Sequence, residues 1–272
     1  MPDLPAFAYT RPCDLAAAMA AIARPGACIY AGGTDLLVAL AERRPWVRFV
    51  RQLVDVKDIA EAKGLRERDA RLRIGALVTA DELASHRLVR RHARVLAEAA
   101  EQTSAPALRR RGTVGGNVCS PHPAGDITAA LVALDAMVEV ADGTATREIP
   151  LGDFMQAQAE QWPRQQLILA VTVGRCRRST FEKVGIRPAF SRSLVAVGIV
   201  VTDDGLRIAL GGLRDRPFVS AAVAASVART GGLEAALAAE CRPPTDGLVS
   251  DTYRLRLAAT LVRRAVARVG RR

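Results

Sequence analysis

Residues 14–23, DLAAAMAAIA, form a nearly unbroken apolar run, with Pro12 ahead of it and Pro25-Gly26 behind. That pattern predicts a helix with a sharp stop. ACIY (27–30) reads as a short buried strand and leads directly into AGGTDLL. A second helix follows over about 35–43, ended by Pro45, and QLVDV (52–56) reads as another strand. Helix, strand, glycine loop, helix and strand in this order suit a small parallel sheet.

Beyond residue 56 the periodicity changes. RLRIGA (71–76) alternates as a half-buried strand does. Thr79 and Glu82 have capping-box spacing for a helix over 80–85, and a longer helix is predicted over 87–102. A helix from about 125 to 134 gathers Ile127, Ala130, Leu131 and Leu134 on one face. MVEVADGTATREI predicts a hairpin turning at Asp142-Gly143, and QLILAVTV (166–173) a strand. A third section begins near Gly174. TFEKVGI (180–186) and SLVAVGIVV (193–201) read as strands, and a turn at Asp203–Gly205 leads to LRIALGG (206–212). Helices over about 219–229 and 251–269 finish the chain. In the last helix Leu255, Ala259, Val262, Val266 and Val269 make the expected inner stripe, while Arg256, Arg263, Arg264 and Arg268 mostly face outward.

Composition narrows the function classes. Half of the 272 residues are apolar, enough for a substantial core. No apolar run approaches the ~18 residues of a membrane span. The N-terminus lacks the basic and apolar regions of a signal peptide. The cysteines (Cys13, Cys28, Cys119, Cys176, Cys241) are scattered without CxxC spacing. They read as reduced thiols of a cytoplasmic protein, not as disulfides, a zinc site or an iron–sulfur ligand set. The net charge of +11 is mostly arginine spread along the whole chain. With no aromatic-interleaved basic motif and no zinc-finger spacing, nucleic acid is not the expected partner. The charge suits anionic small ligands or an acidic partner subunit.

Candidate chemistry concentrates in two glycine loops. In YAGGTDLL (30–37), Gly32 and Gly33 lie between a strand and a helix, where bare backbone and unpaired N–H groups can receive a phosphate. In GTVGGN (112–117), Gly115 and Gly116 repeat the pairing, with Thr113 and Asn117 as polar neighbours. Two such bends, about eighty residues apart, could grip a pyrophosphate from both sides. Neither has the GxGxxG order of a Rossmann fingerprint or the Gly-Lys-Ser/Thr of a Walker loop. His122, between two prolines, and Cys119 read as an ordinary loop histidine and a small buried residue. Arg109–Arg111 read as a solvated basic face that could also meet phosphates or a partner.

AGGTDLL, RRRGTVGGNV and PAGDITAALVALDA together resemble the FAD-binding medium subunit of the molybdenum hydroxylases, which include xanthine dehydrogenase and carbon monoxide dehydrogenase. FEKVGIRPAFSRSLVAVGI resembles the C-terminal domain of the same flavoproteins, with a lean toward the xanthine-dehydrogenase-like branch. The resemblance implies an α+β fold: a PCMH-type FAD-binding domain over 1–175, in subdomains of about 1–56 and 57–175. A small α+β domain over 176–272, with an antiparallel three-stranded sheet, would follow. It implies FAD as cofactor. Ile29, Tyr30, Ala31, Gly32, Gly33, Thr34, Asp35 and Leu36 would wrap the pyrophosphate and ribityl chain. Thr113, Val114, Gly115, Gly116 and Asn117 would close on the phosphates from the other side. Asp126 would accept hydrogen bonds from FAD hydroxyls, Ile168 would lie near the flavin, and Lys183 would reach the isoalloxazine edge and tune its potential. Thr103 falls where some relatives carry an aromatic over the flavin. No residue of this chain would be catalytic. The implied partners are a large subunit with a molybdenum cofactor and a small subunit with two two-iron two-sulfur clusters. Electrons would pass through FAD to NAD, oxygen or another acceptor. The rival readings are a stand-alone FAD-dependent oxidoreductase with its own substrate site, and a nonenzymatic binding module for anionic ligands or nucleic acid.

Overall fold

Asp14 starts the first helix: its Oδ1 accepts the Ala17 N–H at 2.8 Å, satisfying a donor the helix itself leaves unpaired. In the computed structural model, which describes residues 4–120, 122–160, 165–187, 190–229 and 231–270, strand β1 (Ala8–Thr10) precedes this helix, α1 (Leu15–Ile22). Strand β2 (Ala27–Tyr30) runs into helix α2 (Leu36–Ala41), and β3 (Gln52–Asp55) completes a parallel sheet in the order β1-β3-β2. The predicted strands and their parallel pairing are present. β1 is new: three mostly exposed residues are too few for any periodicity to register. Ala39, Leu40, Val47, Val50 and Leu53 give this sheet and α2 a small core of their own.

The middle section contains β4 (Leu65–Arg68), β5 (Arg71–Gly75), α3 (Ala80–Ser85), α4 (Arg87–His92), α5 (Arg94–Gln102), α6 (Pro106–Arg109), α7 (Val114–Cys119), α8 (Asp126–Ala133), β6 (Met137–Ala141), β7 (Thr146–Pro150), α9 (Leu151–Glu160) and β8 (Leu167–Gly174). Its strands form one antiparallel sheet, β4-β5-β8-β6-β7. The predicted capping box closes at both ends, with Thr79 N–H to Glu82 Oε2 at 2.7 Å and Glu82 N–H to Thr79 Oγ1 at 3.2 Å. The helix expected over 87–102 is two helices, broken at Ala93, whose φ of −148° is extended. β4 gives no strand signal because three of its four side chains are charged and its turn, Asp69-Ala70, takes positive φ without a glycine to announce it. α9 was likewise not anticipated. The second glycine loop is itself helical: Thr113 caps α7, and both glycines sit in its first turn.

The last section has β9 (Ser179–Gly185), β10 (Ser193–Thr202), β11 (Gly205–Gly211), β12 (Phe218–Val219), α10 (Ala221–Ala228), α11 (Leu233–Glu240) and α12 (Asp251–Gly270). β9, β10 and β11 form the expected antiparallel three-stranded sheet, extended at its edge by the two residues of β12. One face carries α10, α11 and α12 over a core of Val195, Val197, Ile199, Val223 and Val262 among others. The other face meets α5 and α8, so its Phe181, Ala196 and Ala209 join the core of the middle section. α8 is apolar nearly all round and every one of its residues is buried, more than the single face anticipated. In α12 the inner stripe is Ala258, Ala259, Leu261, Val262, Ala265 and Val269, with Leu255 and Val266 only partly covered. Arg254 is buried there too. Its guanidinium donates to the Leu194 and Gly212 carbonyls and to Asp246.

Glu98 ties the sections together. Its Oε2 accepts from Thr180 Oγ1 and the Phe181 N–H on β9, while Oε1 accepts from Arg94 on its own helix and Arg268 on α12. A buried carboxylate needs such donors, because burial without them is costly.

Candidate cofactor site

A cleft of about 1480 Å³ opens where the three sections meet, lined from the first by Ala31 to Leu36, from the second by α7, α8 and β8, and from the third by the β9–β10 turn. Loop 31–35 forms one wall of it. The N–H groups of Gly32, Gly33, Thr34, Asp35 and Leu36 donate to no acceptor among the described residues. Such a row of free donors at the start of a helix attracts an anion.

The glycines here serve the contact between the two bends. A Cβ on Gly32 would stand 2.0 Å from the Arg111 carbonyl oxygen, immediately before Gly112. Gly33 has φ +73°, and a Cβ there would meet the Tyr30 ring at 2.5 Å. The Tyr30 side chain lies outside the cleft, packed with the core behind α2 and carrying the Lys57 ammonium 4.4 Å above its ring. Ile29 lines the cleft from the end of β2.

The second bend is built differently. The amides of Val114 and Gly115 donate to the Val78 and Ala76 carbonyls, Gly116 N–H to Thr113 Oγ1, and Asn117 N–H to the Thr113 carbonyl. None of these four is left for a ligand. What this segment turns to the cleft is the bare surface of Gly115 and Gly116 with Thr113 and Asn117; Val114 is core. The Asn117 Oδ1 accepts from Thr128 N–H at 3.0 Å and Thr128 Oγ1 at 2.9 Å, which fixes the side chain against α8. A Cβ on Gly115 would meet Ala76 Cβ at 2.9 Å, so this glycine is required by its own chain before any ligand is considered.

Asp126 and Lys183 meet at 2.6 Å, with side chains 6% and 10% exposed. Lys183 also donates to the Gln102 carbonyl at 3.0 Å and the Ser191 carbonyl at 3.2 Å, and Asp126 Oδ1 accepts from Ser193 Oγ at 2.5 Å. Burial pushes the Asp126 carboxyl above its ordinary value, opposed by the Lys183 charge and by hydrogen bonds from Lys183 and Ser193. Removing either partner of such a pair strands a buried charge, at a cost of about 3–5 kcal/mol. Ile168, on β8, lines the cleft beside Gln165 and Gln166 and so shares the middle section's wall, whereas Lys183, on β9, lies outside the cleft lining and beside the turn that closes it from the third section.

Several contributors were invisible in the sequence. Arg192 reaches Asp35 at 3.5 Å, and Ser120 Oγ donates to the same carboxylate at 3.0 Å, so three distant segments converge at the mouth. Cys28 and Cys119 both line the cleft, and burial pushes each thiol up to about 11. His122 is half-buried. Its Nδ1 accepts the Ala124 N–H, and burial, aided by Arg192, lowers its pKa. The row of arginines divides: Arg109 lines the cleft, whereas Arg111 turns its guanidinium to the Tyr30 hydroxyl.

Residues 5–175 match the family described as the FAD binding domain in molybdopterin dehydrogenase. This chain belongs to that family. Its cofactor is FAD, and the cleft fits the group: the free amides of 32–36 supply donors for a diphosphate, and Gly32 and Gly33 line the cleft without side chains. The FAD-binding chain is 31% identical over 185 residues to the nicotinate dehydrogenase FAD-subunit of Eubacterium barkeri, covering 65% of this chain and 61% of that one. It is 32% identical to the carbon monoxide dehydrogenase medium chain of Hydrogenophaga pseudoflava over 55% of this chain and 52% of that one. The matched stretch thus spans less than two thirds of either relative. The medium chain from Afipia carboxidovorans aligns over 96% of both chains at 25% identity. Among solved structures, a carbon monoxide dehydrogenase from Hydrogenophaga pseudoflava superposes with a TM-score of 0.90 over 98% of each chain at 24% identity, which shows a shared fold. Among the described residues no helix is long and apolar enough to cross a membrane.

Proposed function

We propose that this chain is the FAD-binding electron-transfer subunit of a cytoplasmic molybdenum hydroxylase complex. Its partners on this reading are a large subunit with the molybdenum cofactor and a small subunit with two-iron two-sulfur clusters. The names of the relatives, FAD-subunit and medium chain of dehydrogenases, support a subunit role. The finer expectation, xanthine-dehydrogenase-like use of NAD or oxygen as acceptor, belongs to the same proposal. So does the division at residue 175.

The observation that carries the reading is the row of unpaired amides over 32–36, facing a cleft bounded by all three sections. Bound FAD supplies the redox chemistry that side chains lack. The chain's own residues hold and orient it: Ile29 to Leu36 bind the diphosphate, and Thr113 to Asn117 form the opposing wall. Ile168 closes the middle section's side, and Asp126 with Lys183 fixes the turn opposite. No residue here performs the hydroxylation. The test is purification of the chain from its own cells without a tag on any partner. Flavin absorbance, molybdenum and two-iron clusters in one complex are expected; a flavin-containing chain that oxidises a substrate alone would contradict it.

A further inference from the structure

Lys183 is surrounded by acceptors of its own chain. Its ammonium can donate in three directions, and Asp126 Oδ2, the Gln102 carbonyl and the Ser191 carbonyl occupy all three. The neighbouring charge is opposite in sign, 2.6 Å away and equally shut off from water. At any distance large compared with that separation, the two charges act as a small dipole whose field falls off much faster than that of a lone cation. A charge so cancelled is poorly suited to stabilise an anion elsewhere in the cleft.

The same bonds have a clear mechanical consequence. Gln102 ends α5, Asp126 begins α8, Lys183 lies on β9, and Ser191 lies in the turn joining β9 to β10. The turn folds back on itself through Ser191, whose Oγ accepts the Ile186 N–H and donates to the Arg192 carbonyl. Ser193, where the β9–β10 register shifts, is held by Asp126 Oδ1. Next to Ser191, Arg192 reaches Asp35 on the amide-bearing loop. Ile186, Ser191 and Arg192 line the cleft. Lys183 thus fastens this turn from its β9 side, and Arg192, next to β10, braces the opposite wall.

We propose that Lys183, neutralised by Asp126, is a positioning residue that latches the β9–β10 turn across the cofactor cleft and contributes no net charge to the flavin's potential. The inference rests on the FAD reading above and changes the part assigned to Lys183 within it. Once the latch is released, Arg192 and Ser191 no longer hold their places, and the cofactor leaves faster. Its redox potential while bound is unaltered.

The test compares the full wild-type chain with Lys183→Met, Lys183→Arg and the doubly neutral Lys183→Met/Asp126→Asn. Three quantities are measured: the FAD dissociation rate, the two-electron reduction potential of bound flavin, and the rate of tryptic cleavage after Arg192. The double variant carries no stranded buried charge, so it reports on the latch even if the single variant folds poorly. Losing hydrogen bonds from a charged group predicts FAD release about ten- to hundredfold faster in both Met-containing variants. Cleavage after Arg192 should accelerate with it, and in the doubly neutral variant the potential should remain at the wild-type value. Lys183→Arg, which keeps charge and donors, should recover most of the slow release. A lowered potential in the double variant with wild-type release kinetics would overturn the proposal while leaving the FAD reading intact. A wild-type chain that takes up no FAD would overturn both.

Discussion

Gly32 and the Arg111 carbonyl are in direct contact: a Cβ on Gly32 would stand 2.0 Å from that oxygen. The two bends that the sequence separates by about eighty residues therefore touch through backbone, as gripping one diphosphate from two sides requires. Arg111 belongs to the main chain, which cannot swing aside as a side-chain tip can. Gly32→Ala is expected to force the bends apart, costing about 3 kcal/mol or more and abolishing FAD retention. Gly152→Ala is the control, because nothing lies within 4 Å of its Cβ position in helix α9. That variant should keep its flavin and gain about 0.5–1 kcal/mol. Flavin absorbance after gel filtration and the thermal midpoint read both.

Gly115 is constrained by Ala76, its Cβ position being 2.9 Å from the Ala76 Cβ. Gly115→Ala should lower both stability and FAD affinity by pushing α7 away from residues 76–78, and Ala76→Gly in the same chain should restore much of the affinity. Were the methyl instead to block the ligand, the second substitution would restore nothing. Titration of the apoprotein with FAD, followed by fluorescence quenching, distinguishes the two.

Glu98→Gln should destabilise the chain by about 3 kcal/mol, because a buried carboxylate serving two strand donors and two guanidiniums loses its charge-assisted bonds. Arg94→Ala, whose side chain is 54% exposed, should cost less than about 1 kcal/mol. Urea unfolding midpoints give the comparison. Because Glu98 joins α5 to β9 and α12, the last section should loosen first, visible as faster amide exchange on β9.

Asp142 provides a pH signature far from the cofactor. Its carboxylate accepts from the Thr144 hydroxyl and from the Thr144 and Ala145 N–H groups, which lower its pKa from 3.8 to about 2. A depressed acid stabilises the folded state above its unfolded value, and that contribution is lost as pH falls through the folded one. The β6–β7 turn should therefore hold down to about pH 4 and weaken between 3.8 and about 2. A carboxyl carbon titration of Asp142 by NMR tests it; an unshifted midpoint would contradict the turn geometry.

The sequence makes the larger elements legible where one physical signal dominates. β2, β3, β10 and β11 are apolar runs between turn residues, and the Thr79–Glu82 box marks α3 unambiguously. β4 and the break at Ala93 are hidden because tertiary packing overrides weak local preference there. The site was legible as two glycine pairs, not as a mechanism. While 32–36 keep their amides free, Val114 and Gly115 spend theirs on Val78 and Ala76, residues no motif connects to the glycines. The Lys183–Asp126 pair likewise spans 57 positions, and nothing in either local context reveals that each answers the other.

The central claim is that the loop over 32–36 holds the diphosphate of FAD while the bend at 113–117 walls it from the other side. A crystal structure of the chain with FAD tests this most directly. Phosphate oxygens within hydrogen-bonding distance of the amides of Gly32 to Leu36, with Gly115 and Gly116 packed against the same group, are the predicted result. A diphosphate bound elsewhere, with those amides facing only water, would contradict it.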